Sequence, residues 1–154
     1  MYMEKQFNVS ISCPKCEARF NTVVQQTVYG ETPGNIEKIM DNRLNVATCP
    51  HCSYSFRVPV SVMYADQFKR YAVWYEPIPD PQIEQTSKIW AQMLGDFYSK
   101  APRISDWQLF KETIKKFESG ELTIPSTPKK KSRKGCLSLF TLIFCLLLLI
   151  FYFI

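Results

Sequence analysis

Residues 11–20 read ISCPKCEARF, and residues 47–56 read ATCPHCSYSF. Each stretch holds two cysteines separated by two residues, with proline directly after the first cysteine. Two such pairs can hold a metal ion, form disulfides or act as a redox couple. The choice among these three decides most of what the sequence indicates about function.

The end of the sequence is strongly apolar. Residues 136–154 read CLSLFTLIFCLLLLIFYFI and contain no charged residue, proline or glycine. As a helix this run is about 28 Å long, close to the roughly 30 Å hydrocarbon core of a bilayer. A buried helix of a globular domain normally keeps a polar stripe, and this run offers only Ser138, Thr141 and Tyr152. The sequence therefore predicts a transmembrane helix at 136–154.

A cluster of basic residues precedes this predicted helix. Its members are Lys129, Lys130, Lys131, Arg133 and Lys134. The chain has 19 Lys and Arg against 14 Asp and Glu, so the cluster accounts for the whole net charge of +5. The rest of the chain is neutral, which counts against nucleic-acid binding, because that binding depends on clustered positive charge.

The basic cluster also predicts the topology of the chain. Basic residues beside a span stay in the cytoplasm, and they also attract anionic lipid. The sequence opens without a signal-peptide pattern, and the apolar run reaches its last residue. We therefore expect a tail-anchored, single-pass membrane protein whose N-terminal domain is cytoplasmic and whose span contacts the lipid bilayer.

A cytoplasmic domain favours a metal site over disulfides, because the compartment is reducing. The expected ligands are the thiolates of Cys13, Cys16, Cys49 and Cys52. A two-residue spacing lets both sulfurs of a pair point at one metal, and four sulfurs with no open position are typical of structural zinc. Proline in the same slot of both pairs pre-sets the φ angle of the turn.

Other interpretations of the cysteines remain open. Iron in the same four-sulfur cage would make a one-electron carrier. A thioredoxin-like redox pair is disfavoured, because such proteins usually have one pair near a βαβ pattern. His51 lies inside the second pair and is expected to be exposed rather than a ligand. Cys145 lies within the predicted span, and Cys136 stands at its start, where it either packs or carries an acyl chain.

Alternating apolar and polar residues predict strands on both sides of each cysteine pair. The predicted strands cover residues 7–11, 18–29, 54–62 and 69–75, and Pro59 makes the third an edge strand or a bulge. A short helix is predicted between the two pairs, capped at Thr32 with Pro33 at its first position. The arrangement is typical of a zinc ribbon with an inserted helix.

The segments ISCPKCEARF, LNVATCPHCSYSFRV and KRYAVWYEP resemble the CpXC family, small β domains named for their Cys-Pro-x-Cys pairs and found largely in bacteria. The resemblance covers residues 7–77. It implies a metal-binding module and brings no assigned activity with it. Many zinc knuckles place glycine after each pair, where φ is positive, whereas this chain has Glu17 and Ser53 there.

Helical periodicity begins after Pro77. One predicted helix carries its apolar stripe on Ile83, Thr86, Trp90, Met93 or Leu94, and Phe97. A second begins at Ser105, carries Trp107, Phe110, Ile114 and Phe117, and ends at Gly120. We expect an α-helical hairpin packed on the ribbon, although its aromatic faces could instead form a partner-binding surface. The predicted domains are the ribbon at 1–77, the hairpin at 78–120, a basic flexible linker at 121–135 and the span at 136–154.

No Gly-rich loop, nucleophile–base pair or acid/base pair stands out, so we expect no enzyme and no small-molecule substrate. The predicted function is a membrane-anchored adaptor or regulatory module with structural zinc, which meets a protein partner at the cytoplasmic face. The alternatives are a membrane-tethered iron electron carrier and, less favoured by the charge, a nucleic-acid-binding ribbon. Zinc is expected to take the place of a large core in the N-terminal domain.

Overall fold

The computed structural model describes residues 6–122. The predicted transmembrane helix and the basic cluster before it lie outside these residues. Within the described part of the chain, no helix has both the length and the apolar character needed to cross a membrane.

The elements, in chain order, are β1 (Gln6–Ser12), β2 (Arg19–Gln25), β3 (Thr27–Tyr29), α1 (Asn35–Met40), β4 (Val46–Thr48), β5 (Ser55–Arg57), β6 (Val62–Asp66), β7 (Tyr71–Tyr75), α2 (Pro81–Leu94), a 3-10 turn (Asp96–Tyr98), β8 (Arg103–Ile104) and α3 (Trp107–Glu118).

Two antiparallel strand pairs carry the cysteines, and we call them the ribbon half. Strand β1 pairs with β2, ending at Ser12 opposite Arg19, and β4 pairs with β5, ending at Thr48 opposite Ser55. Each cysteine pair lies in the loop that joins its two strands. The core between the two strand pairs is small, with three buried residues, Val24, Ala47 and Val58.

A four-stranded sheet in the order β3-β6-β7-β8 forms the second half, the sheet half. Strands β6 and β7 are antiparallel, while β3–β6 and β7–β8 are parallel pairs. Side chains alternate between the two faces of this sheet, as strand geometry requires. Tyr64 and Val73 pack with α1 and α3 on one face. Met63 and Trp74 pack with α2 and the 3-10 turn on the other.

The structure thus differs from the predicted helical hairpin. The buried residues of α3 join the core on one face of the sheet, whereas Ile83 of α2 joins the core on the opposite face. The two helices therefore enclose the sheet instead of packing against each other. The β-rich character and the inserted short helix agree with the prediction.

Two predicted strands prove to be interrupted. The segment 18–29 leaves the β1–β2 pair after Gln25 and resumes as β3 in the other sheet. The segment 54–62 likewise ends at Arg57 and resumes at Val62, with Pro59 in the gap, because proline has no N–H for a sheet hydrogen bond. Both strand paths therefore run from the ribbon half into the sheet half.

Polar side chains join the strand pairs of the ribbon half to each other and to the sheet half. The Asn45 amide accepts a hydrogen bond from the Gln25 N–H at 2.8 Å and donates one to the Gln25 carbonyl at 2.9 Å. The Arg57 guanidinium lies 3.6 Å from the centre of the Trp107 ring, and it donates to the carbonyls of Leu44 and Asn42. The contact of Arg57 with Trp107 holds β5 of the ribbon half against α3 of the sheet half.

The stability of the domain should depend on pH through Tyr64, which is buried under the end of α3. Tyr64 donates a hydrogen bond to Glu118 at 2.5 Å, and Lys69 donates to the same carboxylate at 2.6 Å. Burial and then the bond to Glu118 raise the pKa of Tyr64, and burial raises the pKa of Tyr71 to about 12. The bond to Glu118 also raises the pKa of Lys69.

These folded-state pKa values all exceed the unfolded ones, so their stabilising contribution is complete below about pH 10 and is lost as the pH rises above it. We expect the free energy of unfolding to be lower at about pH 11 than at about pH 8. The fragment to use covers residues 1–124, the compact unit. Urea titration at both pH values measures this. The decline should be smaller in Tyr64→Phe, and equal stability at both pH values would contradict the assignment.

Candidate metal centre

The two cysteine loops have the same backbone geometry. In the first, the Cys13 N–H donates to the Ala18 carbonyl at 3.0 Å, and the Glu17 N–H donates to the Cys13 carbonyl at 2.9 Å. In the second, the Cys49 N–H donates to the Tyr54 carbonyl at 2.9 Å, and the Ser53 N–H donates to the Cys49 carbonyl at 2.9 Å. Each loop is therefore a knuckle that brings both of its cysteines to one side.

Both knuckles place a non-glycine residue at positive φ. Glu17 has a φ of 61° and Ser53 a φ of 56°. These are the positions directly after each pair, where a knuckle favours glycine. The left-handed conformation costs an L-residue on the order of 1 kcal/mol, because its Cβ crowds the following carbonyl oxygen. The knuckles therefore carry some strain at the two positions where this chain lacks the usual glycine.

This strain gives a prediction at Ser53. Replacement by glycine should leave metal binding unchanged and raise the free energy of unfolding by up to about 1 kcal/mol. Replacement by valine should lower it, because a β-branched residue tolerates positive φ poorly. Chemical denaturation of the metal-loaded 1–124 fragment measures both changes. A glycine variant less stable than the parent would show that the Ser53 side chain itself stabilises the knuckle.

The fold brings all four predicted cysteines together. Their sulfur atoms lie within 4.8 Å of one another. Two contacts join the knuckles, with 3.6 Å between the sulfurs of Cys13 and Cys52 and 3.6 Å between those of Cys16 and Cys49. A tetrahedral site with Zn–S bonds of about 2.3 Å has S–S edges of about 3.8 Å. The arrangement therefore fits one tetrahedrally bound ion.

The four thiols differ in exposure. Cys13 and Cys49 are buried, each 1% exposed, while Cys52 is half-buried and Cys16 is exposed. The inner edge of the cluster is therefore closed by protein, and the outer edge meets solvent.

Their protonation also differs. Burial opposes ionisation of Cys13, but hydrogen bonds from the backbone N–H groups of Lys15 and Cys16 and from neighbouring thiols outweigh it and lower its pKa to about 7. The N–H of Ala18 favours the Cys16 thiolate, yet the adjacent Cys52 thiol, burial and the two remaining cysteines raise the pKa of Cys16 to about 12. Four crowded thiols cannot all ionise without a cation between them.

The donor set decides the class of ion. Among residues 6–122, no histidine or carboxylate joins the cluster, and His51 is exposed. Four thiolates in a tetrahedron suit zinc or iron and exclude ions that prefer oxygen. The cluster is thus a candidate site for one metal ion, either zinc or iron.

The model of the CpXC protein family matches residues 11–123. The chain belongs to the CpXC family. Comparison with curated proteins gives no match, and neither does comparison with solved structures. The match extends well past residue 77, where the resemblance visible in the sequence ended. It includes α2 and α3, in agreement with the packing of α3 into the core of the sheet half.

Sequence reasoning missed the residues that support the CpXC knuckles. Asn45, which clamps β2 through the Gln25 backbone, has a φ of 51° and precedes the second pair by a few residues. An asparagine in the segment LNVATCPHC was a usable signal, since asparagine tolerates positive φ. The contact of Arg57 with Trp107 had no such signal, because the two residues lie far apart in the chain.

Proposed function

We propose that this CpXC protein is a membrane-anchored, zinc-binding adaptor or regulatory module that meets a protein partner at the cytoplasmic face of the membrane. The observation that carries the proposal is the cluster of four cysteine sulfurs held by two matching knuckles. The anchor is the apolar run at 136–154, with the basic cluster before it setting the orientation.

The donor set supports a structural role for the metal. A catalytic zinc site keeps one position for water or substrate, whereas four protein sulfurs leave no open position. The ribbon half also needs such a site, because apart from the cysteines its hydrophobic cluster has only three buried members among the described residues. Metal binding there contributes directly to folding.

The tips of the knuckles offer a surface for a partner. Lys15 and His51 are exposed, and Tyr54 is 43% exposed while stacking on Phe56 at 6.1 Å. The Lys15 ammonium lies 5.8 Å from the centre of the Tyr54 ring. Aromatic residues held in place by neighbours are typical anchors of protein interfaces.

The first experiment is metal analysis of the full chain, purified from membranes without added metal, together with its absorption spectrum. One zinc per chain and no visible colour support the proposal. One iron per chain with a reversible visible spectrum would replace it with an electron carrier. Recovery of the chain in the soluble fraction, not the membrane fraction, would remove the anchor from the proposal.

The partner is tested by photo-crosslinking in cells. A crosslinker replaces His51 at a knuckle tip, and a matched one replaces Gln85, which is exposed on α2. A discrete adduct at position 51 that is absent at position 85 and disappears in Cys49→Ser supports an adaptor role. Equal adducts at both positions, or none at position 51, would contradict it.

A further inference from the structure

A phenylalanine stands exposed at the tip of a turn. Phe68 lies in the turn at 67–70 that joins β6 to β7, and 81% of its surface is exposed. Two neighbours fix this turn to the body of the domain. Gln67 donates to the Tyr98 hydroxyl at 3.1 Å, and Arg70 donates to the Asp96 carboxylate at 2.9 Å. Phe68 is thus exposed on a turn whose neighbouring residues are hydrogen-bonded to the rest of the domain.

The C-terminal end of α2 lies beside this turn. Gly95 caps the C-terminal end of α2, and Asp96 and Phe97 follow it. The Arg70 guanidinium donates to the Asp96 carboxylate and lies 5.7 Å from the centre of the Phe97 ring. The last two residues of that helix, Met93 and Leu94, are 75% and 43% exposed. The end of α2 therefore adds two more exposed apolar side chains to the same end of the domain.

The described part of the chain also ends here. Lys69 of the turn binds Glu118 at the end of α3 at 2.6 Å, and Tyr71 stacks on Phe117 at 3.8 Å. After the helix, the N–H of Leu122 bonds back to the Lys116 carbonyl at 3.1 Å, and Leu122 is 39% exposed. We call Phe68, Met93, Leu94 and Leu122 together the apolar end.

We propose that the apolar end contacts the surface of the bilayer, with Phe68 inserted at the level of the lipid headgroups. This inference rests on the proposed membrane anchor. The bilayer is the occupant because the predicted linker at 121–135, which leads to the predicted span, begins directly beside Leu122. A short tether gives an effective concentration in the millimolar range, so a weak affinity for lipid is enough to hold the domain down.

The chemistry of the apolar end fits an interface between lipid and water. Interfacial helices bury Phe, Trp and Leu side chains at the boundary between headgroups and acyl chains, and Phe68 offers the same chemistry. The adjacent Lys69 can keep its ammonium in water while the ring inserts. The strand paths β2–β3 and β5–β6 start at the knuckles and lead toward this end. Contact with lipid here leaves the knuckle tips accessible to a partner.

Quenching by lipid tests the proposal in the full chain, reconstituted into phosphatidylcholine nanodiscs. A tryptophan is introduced as Phe68→Trp, and the matched control is Val23→Trp, at a 55% exposed position on β2 of the ribbon half. Brominated lipids should remove a large part of the emission that Phe68→Trp adds and none of the emission that Val23→Trp adds. Acrylamide in the water should quench the control more strongly.

Each other outcome overturns the proposal. Equal lipid quenching at the two positions would mean that the domain has no preferred face, and absence of quenching at position 68 would mean that the tip stays in water. Shielding of position 68 from acrylamide without lipid quenching would assign the tip to a protein contact. In these three cases the chain still floats with the nanodiscs, so the anchor stands; a chain that fails to enter the nanodiscs refutes the anchor as well.

Discussion

Replacing Cys49 with serine is expected to abolish metal binding and to unfold the ribbon half while the sheet half keeps its structure. Serine offers a neutral hydroxyl where the site needs a thiolate, and structural zinc sites contribute about 10–16 kcal/mol of apparent binding free energy. The hydrophobic cluster of the ribbon half has only three buried members, so its burial cannot replace the free energy that the metal supplies. The sheet half has two larger clusters of buried side chains, one on each face.

Hydrogen exchange with metal analysis measures both parts of this expectation. Amides of β1, β2, β4 and β5 should lose protection, while those of β6 and β7 should retain it. The matched control is Cys136→Ser, the same chemical change at a cysteine that is not one of the four predicted ligands, and this variant should bind metal like the parent chain. Full metal content in Cys49→Ser would refute the site, and loss of protection throughout would show that the two halves unfold as one unit.

Replacing Phe110 with alanine is expected to destabilise the domain by about 3–5 kcal/mol, the range for deleting a buried phenylalanine side chain. Phe110 is 0% exposed, lies 5.7 Å from Tyr75 between ring centres and belongs to the same buried cluster as Tyr64 and Val73. If α3 belonged to a separate hairpin, the same substitution would leave the sheet intact.

The neighbouring Leu109 provides the control. Leu109 is 51% exposed on the same helix, so Leu109→Ala should change the free energy of unfolding by less than about 1 kcal/mol. Urea titration of both variants in the metal-loaded 1–124 fragment gives the comparison. Similar effects from the two substitutions would contradict the placement of α3 in the core.

Local patterns were enough to predict the clustering of the four cysteines and much of the secondary structure. The cysteine spacing determines which sulfurs can share an ion, and period-two alternation marks residues that flank the knuckles. The stripe on α3 was also readable, since Phe110, Ile114 and Phe117 recur at helical spacing and are all buried. Each of these features depends on residues close together in the chain.

Features that depend on distant residues were not readable in the same way. Nothing near Gln26 indicates that its strand changes partners there, because the new partner, β6, lies more than thirty residues further on. The face of the sheet that each helix covers depends on crossings of the whole chain. Neighbouring polar residues also compete at helix starts: α3 is capped by Asp106, whose side chain accepts from the Leu109 N–H, and not by the adjacent Ser105. Helix α1 similarly begins at Asn35 after Gly34, past the predicted cap at Thr32.

The stacking of Arg57 on Trp107 makes the indole an optical reporter of the metal site. Arg57 follows Cys52 by five residues on β5, and the Trp107 N–H bonds to the Asn42 side chain at 2.8 Å. Trp74 and Trp90 pack on the opposite face of the sheet, away from this contact. When the ribbon loosens, Trp107 loses its cover and meets water, so its emission shifts to longer wavelength. Metal occupancy should then be measurable by fluorescence without any label.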